Sequence, residues 1–140
     1  MGFDTDCPEL AGQQTAPLDH FVSIDGEEYA GQHLIIDLYG AENLDDQTAI
    51  ETAFRACIDA CGATLLHIHL HAFEPNGVSG VAVLAESHIS IHTWPERGYA
   101  ALDVFMCGAA RPELSVPILK QAFNANRVEV NRLLRGGAGE

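Results

Sequence analysis

Between Thr64 and Cys107 the chain carries four strand-like runs: Thr64–Phe73, Val78–Ala85, His88–Thr93 and Tyr99–Cys107. Only a few residues separate each from the next, and connections that short join antiparallel neighbours. Glu74-Pro-Asn-Gly77 reads as the turn between the first two. A further run, His33–Tyr39, comes earlier and stops at Gly40, and Arg127–Leu134 follows as a last strand. Two helices interrupt the series. Asp45 or Asp46 can cap the first, which runs to about Cys61; Ile50, Ala53, Phe54, Cys57, Ile58 and Cys61 recur at helical spacing, and Gly62 ends it. The second fits Val116–Ala125, with Ser115 as cap, Pro117 in the first turn, and Leu119, Ala122 and Phe123 facing inward. The fold class expected is α+β, a two-layer α/β sandwich with a mainly antiparallel sheet and two main helices. Residues 31–135 make one domain of sufficient size to bury a core. Residues 1–30 read as a polar, acidic, flexible extension and residues 136–140 as a flexible tail.

Charge narrows the partners. The net charge is −13, and residues 1–54 hold twelve acids and no Lys or Arg. That balance argues against nucleic acid and against an anionic membrane surface, both of which need a basic face. It leaves a cationic small molecule, a protein, or no charged partner. No apolar run approaches the ~20 residues of a spanning helix. The acidic start, MGFDTDCPEL, reads as neither a signal nor a transit peptide, so a cytoplasmic protein is expected. Cys7, Cys57, Cys61 and Cys107 show no CxxC spacing and are expected as thiols.

Reactive side chains concentrate between Gly77 and Gly108. Glu86-Ser87-His88 sits between two apolar strands, with His92 five residues and Cys107 twenty residues beyond Ser87. The odd spacing from Ser87 to His92 puts them on opposite faces of a regular strand, so one shared site would need a kink at Ser87. On spacing alone, these residues read more readily as cross-strand polar groups and a small core thiol. His67-Ile-His-Leu-His71 offers a second pattern. Its three imidazoles share one strand face, and His33 or His88 could complete a zinc-type set.

The stretch Leu84-Ala-Glu-Ser-His-Ile-Ser-Ile-His-Thr-Trp-Pro-Glu96 resembles the prokaryotic S-adenosylmethionine decarboxylase proenzymes, which are pyruvoyl-dependent. Gly98-Tyr-Ala-Ala-Leu-Asp-Val-Phe105, Cys107-Gly108, Gly77-Val-Ser-Gly80 and Gly31-Gln-His-Leu-Ile-Ile-Asp-Leu-Tyr-Gly40 follow the same family in register, over roughly residues 30–134. The resemblance implies self-cleavage between Glu86 and Ser87 into residues 1–86 and 87–140, leaving a pyruvoyl group made from Ser87. The Ser87 hydroxyl would be nucleophile and then leaving group, a pair of tasks that alanine cannot perform. His92 matches the family's proton-transfer residue in processing, Ser79 a hydroxyl that assists it, and Cys107 the proton donor of the decarboxylation. An imidazole and a protonated thiol suit those transfers. The pyruvoyl cofactor would form a Schiff base with the substrate amine and accept the electron pair of the breaking C–CO2 bond.

For substrate contacts, Phe73 matches an aromatic that stacks on adenine and Glu96 an acid that takes the ribose hydroxyls. No metal is implied. The expected activity is conversion of S-adenosylmethionine to its decarboxylated form for spermidine synthesis, by a homodimer of cleaved protomers. Two alternatives belong beside it: a pyruvoyl decarboxylase of the same fold acting on ornithine or arginine, and a His-rich metal-binding module. The implied cut would leave fifteen acids and one base on residues 1–86, and five acids and six bases on residues 87–140.

Overall fold

The computed structural model describes residues 21–137. Six strands form one sheet: β3 (Gly31–Tyr39), β4 (Leu65–Ala72), β5 (Val78–Leu84), β6 (Ser87–Trp94), β7 (Tyr99–Cys107) and β8 (Arg127–Arg135). Their order is β4-β5-β6-β7-β3-β8, and every neighbouring pair is antiparallel. β4 to β7 form the meander that the short turns require. α1 (Gln47–Cys61) and α2 (Ser115–Ala122) cover one face. The expected two-layer α+β sandwich is what the chain adopts. Among the described residues no helix is long and apolar enough to cross a membrane.

The core lies between helices and sheet. α1 contributes the six residues its periodicity predicts, all buried. They meet Leu34, Ile36 and Leu38 of β3, Ile89 and Ile91 of β6, and Leu102 and Val104 of β7. Each of those strands alternates, because successive side chains point to opposite faces. Asp46 caps α1, its side chain accepting from the Ala49 N–H at 3.1 Å, and Gly62 closes it in the left-handed conformation.

Two elements differ from expectation. Within the stretch read as a flexible extension, β1 (Val22–Ile24) and β2 (Glu27–Tyr29) form a hairpin. Its loop is Asp25-Gly26, with both residues at positive φ, which the favoured two-residue hairpin turn demands. The rest of that expectation, residues 1–20, lies outside the described residues, as do residues 138–140 of the tail. α2 starts one residue early and ends three early. A single 3-10 turn, Pro112–Leu114, leads into it, and the Ser115 hydroxyl donates back to Pro112 O at 2.6 Å instead of capping an N–H. Asn124, at φ 47°, ends any continuation past Phe123.

The opposite face of the sheet carries no helix. Cross-strand register puts His67, His69 and His71 of β4 on it, beside Val83, Val81 and Ser79 of β5. His88, Ser90, His92 and Trp94 of β6 and Tyr99, Asp103 and Phe105 of β7 share that face. It is rich in histidine and aromatic side chains, and Trp94 is 41% exposed there.

Candidate active site

The β5–β6 connection is a two-residue turn, Ala85-Glu86, because Leu84 pairs directly with Ser87. Glu86 sits at φ 58°, in the left-handed region that a side-chain-bearing residue rarely adopts. The turn abuts the end of β7. There the Cys107 thiol donates to the Glu86 carbonyl oxygen at 2.9 Å, and the Cys107 N–H donates to the Ser87 hydroxyl at 3.2 Å. A single residue therefore contacts both the hydroxyl and the carbonyl group of the 86–87 bond. Burial pushes the Cys107 thiol above its ordinary value and the charge of Glu86 adds to this, against the lowering effect of the Ser87 hydrogen bond. The thiol thus stays protonated near neutrality and remains a donor.

A second group of residues sits at the far end of the same hairpin. Ser79 pairs in register with His92, and the Ser79 hydroxyl and His92 Nδ1 are hydrogen-bonded at 2.8 Å. They open onto a groove of about 550 Å³ whose lining includes Phe73, Gly77, Trp94 and Glu96. Phe73 is 49% exposed and packs edge-on against His71. Trp94 stacks on Tyr99, whose hydroxyl donates to Asp37 at 2.5 Å. Glu96 lies in the 3-10 turn Pro95–Arg97. Buried Thr93 fixes the groove floor, accepting from the Val78 N–H and donating to Leu44 O, each at 2.8 Å. An aromatic face with a carboxylate near it suits a flat heterocycle joined to a diol.

These two groups do not meet within one chain. Five residues of β6 separate Ser87 from His92, a distance of ~16 Å at ~3.3 Å per residue. A hydrogen bond spans only ~3 Å. No kink at Ser87 closes that gap; β6 pairs with β5 without interruption from Ser87 to His92. The residues singled out in the sequence thus fall into a cleavage half (Glu86, Ser87, Cys107) and a groove half (Phe73, Ser79, His92, Glu96).

The alternative of a metal set on β4 finds no support in the geometry. Among the described residues the one compact set of potential ligands is His33, His88 and Asp103, and it contains none of the β4 histidines. Arg135 donates to His33 Nδ1 at 3.0 Å, so that ring carries its proton on Nε2, facing Asp103. A cation on Nε2 would need the proton on Nδ1, against the guanidinium. The set is thus arranged as a hydrogen-bond network. Its centre, Asp103, is the one charged residue of β7, and a lone acid in an apolar strand was the only sequence signal for it.

Known proteins resemble this chain over most of its described length. The family model for S-adenosylmethionine decarboxylase matches residues 32–136. A Thermomicrobium roseum protein named S-adenosylmethionine decarboxylase proenzyme is 49% identical over 108 residues, covering 76% of this chain and 93% of its own length. A Methanococcus vannielii protein of the same name is 51% identical over 109 residues, covering 76% and 89%. Among solved structures, the adenosylmethionine decarboxylase from Aquifex aeolicus superposes with a TM-score of 0.71 at 32% identity, over 77% of this chain and 92% of the other. The chain belongs to the S-adenosylmethionine decarboxylase family of enzymes.

Proposed function

We propose that the chain is a self-processing, pyruvoyl-dependent decarboxylase that converts S-adenosylmethionine to its decarboxylated form and CO2. The observation that carries this is the joint contact of Cys107 with the Glu86 carbonyl and the Ser87 hydroxyl. Attack of Ser87 Oγ on the Glu86 carbonyl carbon closes a five-membered ring, so the nucleophile needs no search. The Cys107 S–H opposes the charge developing on the carbonyl oxygen, the role of an oxyanion donor. The C–N bond then breaks, the nitrogen keeps its place on residue 87 as an amine, and the peptide has become an ester. Removal of the Cα proton of residue 87 pushes the electron pair into a Cα=Cβ bond and expels the Glu86 carboxylate with Oγ. Water replaces the nitrogen, ammonia leaves, and residue 87 ends as a ketone. The site suits that group, since the serine it must come from directly follows strained Glu86, and its hydroxyl and the Glu86 carbonyl oxygen are both hydrogen-bonded to Cys107.

The pyruvoyl carbonyl supplies the electron sink for the pair left by the departing carboxylate. The chain's own residues do the rest. Phe73 and Trp94 offer faces for an adenine ring, and Glu96 offers two oxygens to a ribose diol. Cys107, kept protonated, holds the proton to be delivered to the substrate carbon. Ser79 holds the His92 ring, whose imidazole accepts the Cα proton during processing.

Because His92 lies ~16 Å from Ser87 in one chain, the reading includes a homodimer. Two copies related by a twofold axis, with their helix-free sheet faces together, bring the cleavage half of each against the groove half of the other. The exposed Trp94 and Val83 on that face support this burial. The product is the aminopropyl donor for spermidine synthesis, and the proposed location is the cytoplasm. Denaturing electrophoresis tests the processing. CO2 release compared for S-adenosylmethionine, ornithine and arginine tests the substrate, and preference for either amino acid would overturn the nucleoside assignment.

A further inference from the structure

The polar network one residue past Ser87 has no part in the chemistry above. His33 Nε2 and His88 Nε2 both donate to Asp103 Oδ2, at 2.6 and 2.9 Å, and the Ser90 hydroxyl donates to Oδ1. The side chains of Asp103 and His33 are only 22% and 15% exposed. The network ties β6 to β7 and β3, and Arg135 of β8 holds the outer nitrogen of His33. The ring of Phe105 packs against both imidazoles. Burial works to raise the Asp103 carboxyl, but hydrogen bonds from His88, Ser90 and His33 outweigh it and hold it well below the usual carboxylate range. It is therefore a charged acceptor near neutrality.

Cleavage changes what residue 87 depends on. In the intact chain the Ala85-Glu86 turn tethers β6 to β5. After the cut, residue 87 is a free chain end, and free ends fray unless something holds them. The Ser87 hydroxyl leaves with the Glu86 carboxylate, so the contact from the Cys107 N–H at 3.2 Å is lost as well. The first side chain still anchored is His88.

We propose that His33, Asp103 and His88 form a clamp that holds the new end of β6, making Asp103 a positioning residue for the reactive carbonyl that residue 87 becomes. This rests on the self-processing reading. Its stake is rate, because displacing a reacting atom by about 1 Å can cost on the order of 100-fold.

The test uses the full chain with Asp103→Ala and Asp103→Asn, each also in an uncleavable Ser87→Ala background. Cleavage is followed by intact mass, turnover by CO2 release, and local order by amide hydrogen exchange. Asp103→Ala should cleave, then turn over roughly 10- to 100-fold more slowly with KM little changed. Exchange at the His88 and Ile89 amides should speed up by roughly tenfold or more in the cleaved protein. It should not do so in the Ser87→Ala background, where the turn still tethers the strand. Asp103→Asn keeps an oxygen that can accept from both imidazoles and should restore most of kcat. If Asp103→Ala does not fold, His88→Phe removes one donor from the same clamp and is read the same way. Unchanged kcat, loss of cleavage, equal exchange in cleaved and uncleavable chains, or no rescue by asparagine would each overturn the clamp. Failure of the unsubstituted chain to cleave would overturn the self-processing reading instead.

Discussion

The separation of Ser87 from His92 makes a quantitative mixing experiment possible. A Ser87→Ala chain lacks the proposed nucleophile, and a His92→Ala chain lacks the proposed base. Each alone should stay uncleaved and inactive. At ~3.3 Å per residue the two side chains lie ~16 Å apart along β6, far beyond proton-transfer reach, so the proposed site takes one residue from each copy. Coexpression in equal amounts with random pairing makes half the dimers hybrid. Every hybrid holds one complete site, formed by Ser87 of the His92→Ala copy and His92 of the Ser87→Ala copy. About half of the His92→Ala chains, or about a quarter of all chains, should therefore cleave, and activity should recover to about a quarter of the unsubstituted level. Mass spectrometry of differently tagged chains counts the cleaved fraction, and CO2 release measures the activity. Cleavage confined to the His92→Ala copies is the expected signature. No cleavage in the mixture would refute the two-copy site, as would cleavage of His92→Ala chains expressed alone.

Other outcomes follow from the same geometry. Cys107→Ala removes the donor to Glu86 O and should slow cleavage by up to roughly 100-fold, measured by electrophoresis over time. Burial raises the Cys107 thiol, so its protonated form persists to higher pH; the alkaline limb of decarboxylation should fall above the ordinary thiol value of 9.0 in a pH–rate profile. A limb well below that value would contradict the proton-donor role. Thr93→Val strands the Val78 N–H and the Leu44 carbonyl and should cost about 1–3 kcal/mol in urea unfolding. Phe73→Ala, at a half-exposed position, should leave stability nearly unchanged while raising KM by roughly tenfold, the loss of one stacked base.

What the sequence made legible follows from what each signal encodes. α1 was readable at both ends because its cap, its apolar period and its terminal glycine all agree. β7 was readable residue for residue, since alternation and the flanking glycine bound it. The β1–β2 hairpin was missed although Asp25-Gly26 signalled it, because the acidic composition around it outweighed a two-residue cue. The roles proposed for Ser87 and Cys107 came from resemblance to a family motif. Their contact came from β6–β7 pairing, which no local pattern states. The split of the site was hidden for the same reason: a motif lists residues along the chain, and only register shows that Ser87 and His92 stand at opposite ends of one hairpin. Asp103 escaped as a lone acid in an apolar strand, its meaning set by three side chains from two neighbouring strands.

Intact mass of the purified protein decides whether this chain makes its own cofactor at Ser87. Two pieces are expected, residues 1–86 with an ordinary carboxyl end and residues 87–140 lighter by one ammonia than the product of simple hydrolysis. A Ser87→Ala chain should stay whole. A single intact chain after prolonged incubation, or a second piece beginning with an ordinary serine, would contradict it.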